Sequence, residues 1–225
     1  CLERDVALYR SRGLGDTAFG AGPIPASTFL APLLAGLRQE FPGINLRVEI
    51  SNWHLLLKRL VDEDIEFFIA DVRDLPPDPS LQLRALRGEP GGFYARAGHP
   101  LAERGSVSLK QVWAHGILSV KLPVEVRTVV ARMLGAASPD ELPLALECDD
   151  VGLLKNIALA SGSVLAVTHA PIQEGLAVGR LGPLKVAGLP PLVSKASVVT
   201  LRGRTPSPMA ELIVGRLPAT DSGTP

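Results

Sequence analysis

Polar side chains follow the ends of four predicted strands, at the points where helices or turns begin. In open α/β sheets, ligands bind outside the carboxyl ends of the strands. We therefore expect these residues to contact a bound small molecule. The nine candidates are Ser27, Thr28, Ser51, Asn52, Trp53, Ser119, Lys121, Thr168 and His169.

Ser27 and Thr28 stand before a helix, where exposed backbone N–H groups and the helix dipole would suit an anion such as a carboxylate. Ser51 and Asn52 add donors after the next strand, and Trp53 adds an aromatic wall. The competing interpretation is plain capping of the two helices, with Trp53 packed against a hinge or a dimer partner.

Four further candidates come from the second half of the chain. Ser119 and Lys121 end one strand, and Lys121 would pair with an acidic ligand. Thr168 and His169 end another, and His169 could donate a hydrogen bond or change charge with pH. The alternatives are a solvent-exposed lysine and a histidine held by structural hydrogen bonds.

Catalytic and metal-binding patterns are missing from the sequence. The neighbouring Asp149 and Asp150 precede a helix, and Asp150 is expected to be its N-cap rather than an acid–base group. Cys148 is expected to point into the core. The histidines show no metal spacing, and the phosphate-binding, serine-hydrolase and zinc-protease motifs are not found. We therefore expect neither an enzyme nor a cofactor.

Composition limits the class of protein. Hydrophobic residues make up 46% of the 225 residues, which allows a large core. Lys and Arg together number 23, as do Asp and Glu, so the formal net charge is zero. A module that binds DNA phosphates needs an excess of positive charge. We therefore do not expect this chain to bind DNA by itself.

The chain begins with Cys1 instead of Met, which predicts a fragment of a longer protein or a processed product. Its two cysteines, Cys1 and Cys148, fit no zinc or CxxC spacing, so a reduced cytoplasmic protein is expected. The longest uncharged segment, 156–173, is too polar and broken to span a membrane.

Short strand-like and longer helix-like runs alternate, which predicts an α/β fold. The first part reads β-α-β-α-β, with parallel pairing expected. Its predicted elements are strand 17–22, helix 28–40, strand 45–50, helix 54–61 and strand 65–72. The following predicted elements are strands 81–86 and 91–97, strand 116–120, helix 124–134, strand 144–148, helix 151–160, strand 163–168, strand 195–201 and helix 208–217.

Several ordered motifs resemble LysR-type transcriptional regulators over nearly the whole chain. Each is short, and their order carries the resemblance. The motifs are Phe29-Leu30-Ala31-Pro32-Leu33-Leu34, Phe41-Pro42-Gly43-Ile44-Asn45-Leu46, Gly98-His99-Pro100-Leu101-Ala102, Val107-Ser108-Leu109, Asp150 to Ser163, and Gly203-Arg204-Thr205-Pro206-Ser207-Pro208-Met209. Glu66 stands where the family usually has Asp. Thr168-His169-Ala170-Pro171 stands where the family usually has Leu-Pro.

The resemblance implies a two-lobed periplasmic-binding-protein-like (type 2) α/β fold. Lobe one would comprise residues 16–92 and 202–225, and lobe two residues 93–201. Hinge strands near 92–97 and 196–202 would cross between them, and residues 1–15 would be a linker remnant. The family's winged helix-turn-helix would precede this chain and contact DNA.

The implied function is an effector-binding and oligomerisation domain, with a small metabolite in the interlobe cleft. The family pairs two such domains through lobe one, and helices 28–40 and 208–217 are the expected contacts. Leu30, Leu33, Leu34 and Leu37 would serve that contact or be buried in their own lobe. Two rivals are a solute-binding protein of a transport system and a small enzyme on this fold, such as a dehydratase.

Overall fold

The computed structural model describes residues 16–220, which divide into two compact units. Unit 1 comprises residues 16–88 and 195–220, and unit 2 is Glu89–Ser194. The chain thus changes unit earlier than expected at both points. Glu89 pairs with Ser194 in unit 2, and Ala196–Leu201 pairs along its length with strands of unit 1, so neither segment changes sheet midway. The expected linker remnant, 1–15, lies outside the described residues.

Unit 1 contains a five-stranded sheet with the order β2-β1-β3-β11-β4. Strand β1 pairs in parallel with β2 and β3, while β11 runs antiparallel to β3 and β4. This confirms the parallel β-α-β-α-β start. The strands are β1 (Thr17–Ala21), β2 (Leu46–Ile50), β3 (Phe67–Asp71), β4 (Leu81–Ala85) and β11 (Ala196–Leu201).

Three helices cover this sheet. Helix α1 spans residues 23–40 and consists of an α-turn (Pro23–Pro25), a π-helical turn (Ala26–Leu30) and an α-helical part (Ala31–Glu40). Helix α2 is Trp53–Val61, and the last helix, α7, is Pro208–Arg216.

Strand β3 is apolar from Phe67 to Ala70 because both of its faces are covered there. Phe67 and Ile69 join the core beneath α1 and α7, whereas Phe68 and Ala70 join the core beneath α2. Gly20 lies on the second face, where a Cβ would be 2.6 Å from Leu56 Cδ2 and 3.0 Å from Phe68 Cβ, so a larger residue would force Leu56 to shift.

Glu66 connects three elements of unit 1. Its carboxylate accepts hydrogen bonds from the Thr17 hydroxyl and from the backbone N–H (2.7 Å) and hydroxyl (2.9 Å) of Ser207. Ser207 is the N-cap of α7 and accepts from Ala210 N–H. The carboxylate therefore attaches the start of α7 to β1 and to the start of β3.

Unit 2 contains a sheet with the order β10-β5-β8-β6-β7, and β9 also pairs with β5. Strands β6, β7 and β8 are parallel to one another, while β5 is antiparallel to β8. The strands are β5 (Glu89–Arg96), β6 (Ile117–Ser119), β7 (Leu146–Glu147), β8 (Val164–Thr168), β9 (Leu181–Pro183) and β10 (Leu192–Ser194).

The helices of unit 2 are α3 (Leu109–Ala114), α4 (Val124–Leu134), α5 (Val151–Ala160) and α6 (Gln173–Ala177). The bounds predicted for α4 and α5 are confirmed. The sequence interpretation missed α3 and α6. Helix α3 begins with a capping box in which Ser108 Oγ accepts from Gln111 N–H and Gln111 Oε1 accepts from Ser108 N–H. That serine–glutamine spacing is visible in the sequence.

His99, in one of the family-like motifs, has a structural role in unit 2. Its side chain is fully buried, and its Nδ1 accepts from Leu101 N–H at 3.1 Å. The other nitrogen, Nε2, therefore carries the proton and donates to the carbonyl of Gly162 at 3.0 Å. The imidazole thus fixes the turn after β5 against the turn before β8.

Candidate functional site

The carboxyl ends of β1, β2 and β3 lie side by side in unit 1. Ser51 N–H donates to the carbonyl of Ala21 at 3.1 Å, and Gly22 N–H donates to the carbonyl of Ile69 at 2.7 Å. The turns after β1 and β2 therefore start next to each other, as the sequence interpretation requires.

Helix α1 begins earlier than predicted, and Ser27 and Thr28 are not its caps. Its N-cap is Gly22, without a side-chain hydrogen bond, and the helix starts at Pro23. Pro23 and Pro25 have no N–H, so the first turn offers few backbone donors to an anion. The expected anion site formed by N–H groups beside Ser27 and Thr28 is therefore wrong, although the two hydroxyls remain candidates.

The two hydroxyls lie in the π-helical turn of α1 and differ in their surroundings. Ser27 Oγ donates to the carbonyl of Ile24 at 2.9 Å, one turn back. Thr28 Oγ1 is buried and finds no hydrogen-bond partner among residues 16–220. Single π-helical turns within α-helices occur frequently at functional sites.

The residues after β2 form the start of α2. Asn52 is the N-cap, and its Oδ1 accepts from Leu55 N–H at 3.2 Å, which confirms the capping alternative for this residue. Trp53 stacks on His54 with ring centroids 3.6 Å apart and packs against the core beneath α2. Ser51 is half-buried beside the end of β1.

The candidates of unit 2 also lie at strand ends but differ in exposure. Ser119 is fully buried and donates to the carbonyl of Ala166 at 3.1 Å, which gives it a role within the sheet. Lys121 is exposed. Thr168 is buried, and its Oγ1 has no hydrogen-bond partner in the part of the chain that the structure describes.

His169 is exposed beyond the end of β8, and its backbone N–H donates to the carbonyl of Pro90. Its ring lies 6.4 Å from that of Tyr94, centroid to centroid. Sequence reasoning missed Tyr94, which is buried in β5 and whose ring packs over Gly92. Burial raises the pKa of the Tyr94 phenol above its usual value.

Two further groups lie near strand ends. Asp71, the last residue of β3, binds Arg73 through an ion pair of 2.7 Å and accepts from Lys195 N–H. The sequence signal was a carboxylate ending an otherwise apolar run. Cys148 is only half-buried, so its predicted place in the core is wrong, because β7 ends one residue earlier. Asp150 accepts from Leu153 N–H at 2.9 Å, as predicted for an N-cap.

Within residues 16–220, no three histidine, cysteine or acidic side chains come together in a way that could hold a metal ion. None of the helices described there combines the length and apolar character that crossing a membrane requires.

Comparison with known sequences identifies the family. The family profile described as LysR substrate binding domain matches residues 14–220. The SDS degradation transcriptional activation protein of Pseudomonas sp. (strain ATCC 19151) is 34% identical over 229 residues, covering all of this chain and 73% of the relative. The transcriptional regulator CbbR of Xanthobacter flavus is 26% identical, over 84% of this chain and 56% of the relative. The chain thus spans about half to three quarters of these relatives.

Solved structures show the same fold. A putative LysR family regulator from Pseudomonas aeruginosa superposes with a TM-score of 0.68 at 18% identity, covering 95% of this chain and 75% of the other. The reduced OxyR regulatory domain from the same species gives 0.68 at 16% identity, covering 90% and 96%. The predicted fold class, a two-lobed periplasmic-binding-protein-like (type 2) α/β fold, is confirmed. The chain therefore belongs to the LysR-type transcriptional regulators and corresponds to their effector-binding regulatory domain.

Proposed function

We propose that this domain binds a small organic effector through the polar groups at its strand ends and thereby regulates transcription by a longer protein. One observation carries the proposal. In each unit one threonine, Thr28 in the π-helical turn of α1 and Thr168 at the end of β8, has a buried hydroxyl without a partner among the described residues. Such a group costs about 1–3 kcal/mol, which a ligand's hydrogen bond would recover.

The proposed effector site consists of Ser27, Thr28, Ser51, Asn52 and Trp53 of unit 1, with Lys121, Thr168 and His169 of unit 2. Ser119 belongs to the proposal only as support, because its hydroxyl already donates within the sheet.

An anionic effector fits these groups best. Lys121 supplies an exposed positive charge, and the unit 1 residues supply neutral donors. One relative is named for transcriptional activation of SDS degradation, and SDS is itself an organic anion.

An effector changes the output only if it binds one arrangement of the domain better than another. We propose that the longer protein acts in the cytoplasm, binds DNA through a preceding winged helix-turn-helix, and dimerises through unit 1. Leu30 and Leu37 are buried in their own unit. Leu33 and Leu34 are only partly buried against that core, so they are the better candidates for a dimer contact.

The transport alternative lacks support, because the relatives named above are transcriptional regulators. The dehydratase alternative would need a converging acid–base pair. Asp150 serves as a helix cap, and Asp71 is engaged by Arg73.

A thermal-shift screen of organic anions tests the proposal. Carboxylates, sulfate esters and phosphate esters would be added to the wild-type domain and to Ser27→Ala and Ser51→Ala. We expect at least one compound to raise the melting temperature of the wild type and to shift Ser51→Ala less. A compound that raises the melting temperature of both variants as much as that of the wild type would place its binding site elsewhere.

A further inference from the structure

Large apolar side chains are exposed where the proposed effector site lies. Among the described residues, eight such side chains are exposed, and four of them lie at the end of the edge strand β2 or in the first turn of a helix that follows a strand. Those four are Ile50, Leu55, Val124 and Leu153. The other four lie on edge strands or at helix ends and are Leu83, Val193, Val61 and Val178. Single exposed apolar residues are ordinary, but their concentration beside polar candidates requires an explanation.

In unit 1 the exposed side chains flank the polar turn after β2. Ile50 is 56% exposed and immediately precedes Ser51, and Leu55 is 53% exposed in the first turn of α2. Leu55 N–H donates to Asn52 Oδ1, which fixes the leucine one turn beyond the cap. Helix positions three apart lie about 5–6 Å from each other. A ligand whose polar head reaches the Asn52 cap therefore has Leu55 within the length of a short alkyl chain.

Unit 2 repeats this arrangement independently. Leu153 is 46% exposed in the first turn of α5, and its N–H donates to the capping Asp150. This leucine also follows a strand end, since β7 finishes at Glu147. In both units, then, an exposed leucine lies one turn beyond a polar helix cap that follows a parallel strand.

We propose that the effector is an amphiphile, with an anionic head for the polar groups and an aliphatic chain that covers Leu55 and Ile50. This inference rests on the proposed function and specifies its ligand class. Covering these side chains with an alkyl chain removes apolar surface from water on both partners, which makes affinity depend on chain length.

Isothermal titration calorimetry with acetate, butyrate, hexanoate and octanoate tests the inference. We expect affinity to rise about two- to fourfold per methylene, because a fully buried methylene contributes about 0.8 kcal/mol and a partly buried one less. Leu55→Ser should weaken octanoate about fivefold or more and butyrate little. Val61→Ser is the matched control, since Val61 is 59% exposed at the other end of the same helix.

Each outcome has one meaning. An affinity that does not change from acetate to octanoate overturns the amphiphile and leaves the proposed function standing. A chain-length dependence that persists equally in Leu55→Ser and Val61→Ser, or no binding of any acid, also overturns it. If light scattering shows that Leu55→Ser dissociates a dimer, Leu55 belongs to a protein interface and the inference fails. A chain-length dependence lost in Leu55→Ser but unchanged in Ser51→Ala supports the apolar contact and refutes the proposed polar site.

Discussion

Thr17 and Thr168 form a natural pair for testing what a buried hydroxyl does in this domain. Each lies in a strand and is 5% exposed, but the hydroxyl of Thr17 donates to Glu66 while that of Thr168 has no partner among residues 16–220. Replacing each by valine removes the hydroxyl and keeps the shape. Valine also suits a strand, so backbone preference changes little.

Only the first of the two substitutions should lower the stability of the domain. Thr17→Val deprives a carboxylate of a donor and should lower the free energy of unfolding by about 1–3 kcal/mol. Thr168→Val removes an unsatisfied polar group and should leave that free energy unchanged or raise it by about 1 kcal/mol. With a urea dependence of about 2 kcal/mol per molar, the two midpoints would differ by about 0.5–2 M.

Urea unfolding followed by circular dichroism measures the stability of both variants without ligand. Titration with a stabilising compound from the anion screen then measures its affinity. Thr168→Val should weaken that affinity about ten- to hundredfold, the value of one hydrogen bond to a charged group. If Thr168→Val destabilises the domain as much as Thr17→Val does, its hydroxyl has a partner in the folded protein and the reasoning is refuted.

Three further predictions concern the scaffold. Glu66→Gln should lower the free energy of unfolding by about 2–3 kcal/mol in urea, because the amide nitrogen cannot accept from Thr17 or Ser207; an unchanged midpoint would contradict this. Burial raises the pKa of the Tyr94 phenol above its usual value of 10.0, so the phenol should ionise only above pH 10.0. The absorbance of tyrosinate measures this ionisation. The free energy of unfolding should therefore fall as the pH rises above the pKa that the Tyr94 phenol has in the unfolded chain. Tyr94→Phe should remove the part of this fall that the phenol causes. Gly20→Ala should cost about 1–3 kcal/mol through its clash with Leu56, and Leu56→Ala should cost less in that background than in the wild type.

Most strands and helices could be predicted because each has a strong local pattern. The bounds of α5 follow from the Asp150 cap and from the helical spacing of its apolar residues. Strand β2 follows from its alternation of apolar and charged residues. The start of α1 could not be predicted from the sequence. Ser27 and Thr28 resemble caps, but the helix begins at Pro23 without a side-chain cap. Local sequence offers two starting points there, and packing of the turn beneath β3 selects the earlier one.

The candidate site was predictable in location more than in role. The strand-end rule predicts both Thr168 and Ser119 as site residues. Only the structure shows that the Ser119 hydroxyl has a hydrogen-bond partner and that the Thr168 hydroxyl has none among residues 16–220. Such differences depend on which carbonyl of a neighbouring strand lies opposite. The ring of Tyr94 beside His169 is equally a result of register, since β5 runs antiparallel to β8.

Hydrogen–deuterium exchange, with and without the most stabilising anion of the screen, tests the central claim most directly. If the domain senses a small molecule through its strand ends, the ligand should slow exchange in peptides covering residues 22–28 and 51–55 of unit 1. It should also slow exchange at 119–121 and 168–170 of unit 2, with little change on β4 or in the second half of α4. Protection confined to β4 and the second half of α4, or to one unit alone, would contradict the claim that the domain senses a small molecule through its strand ends.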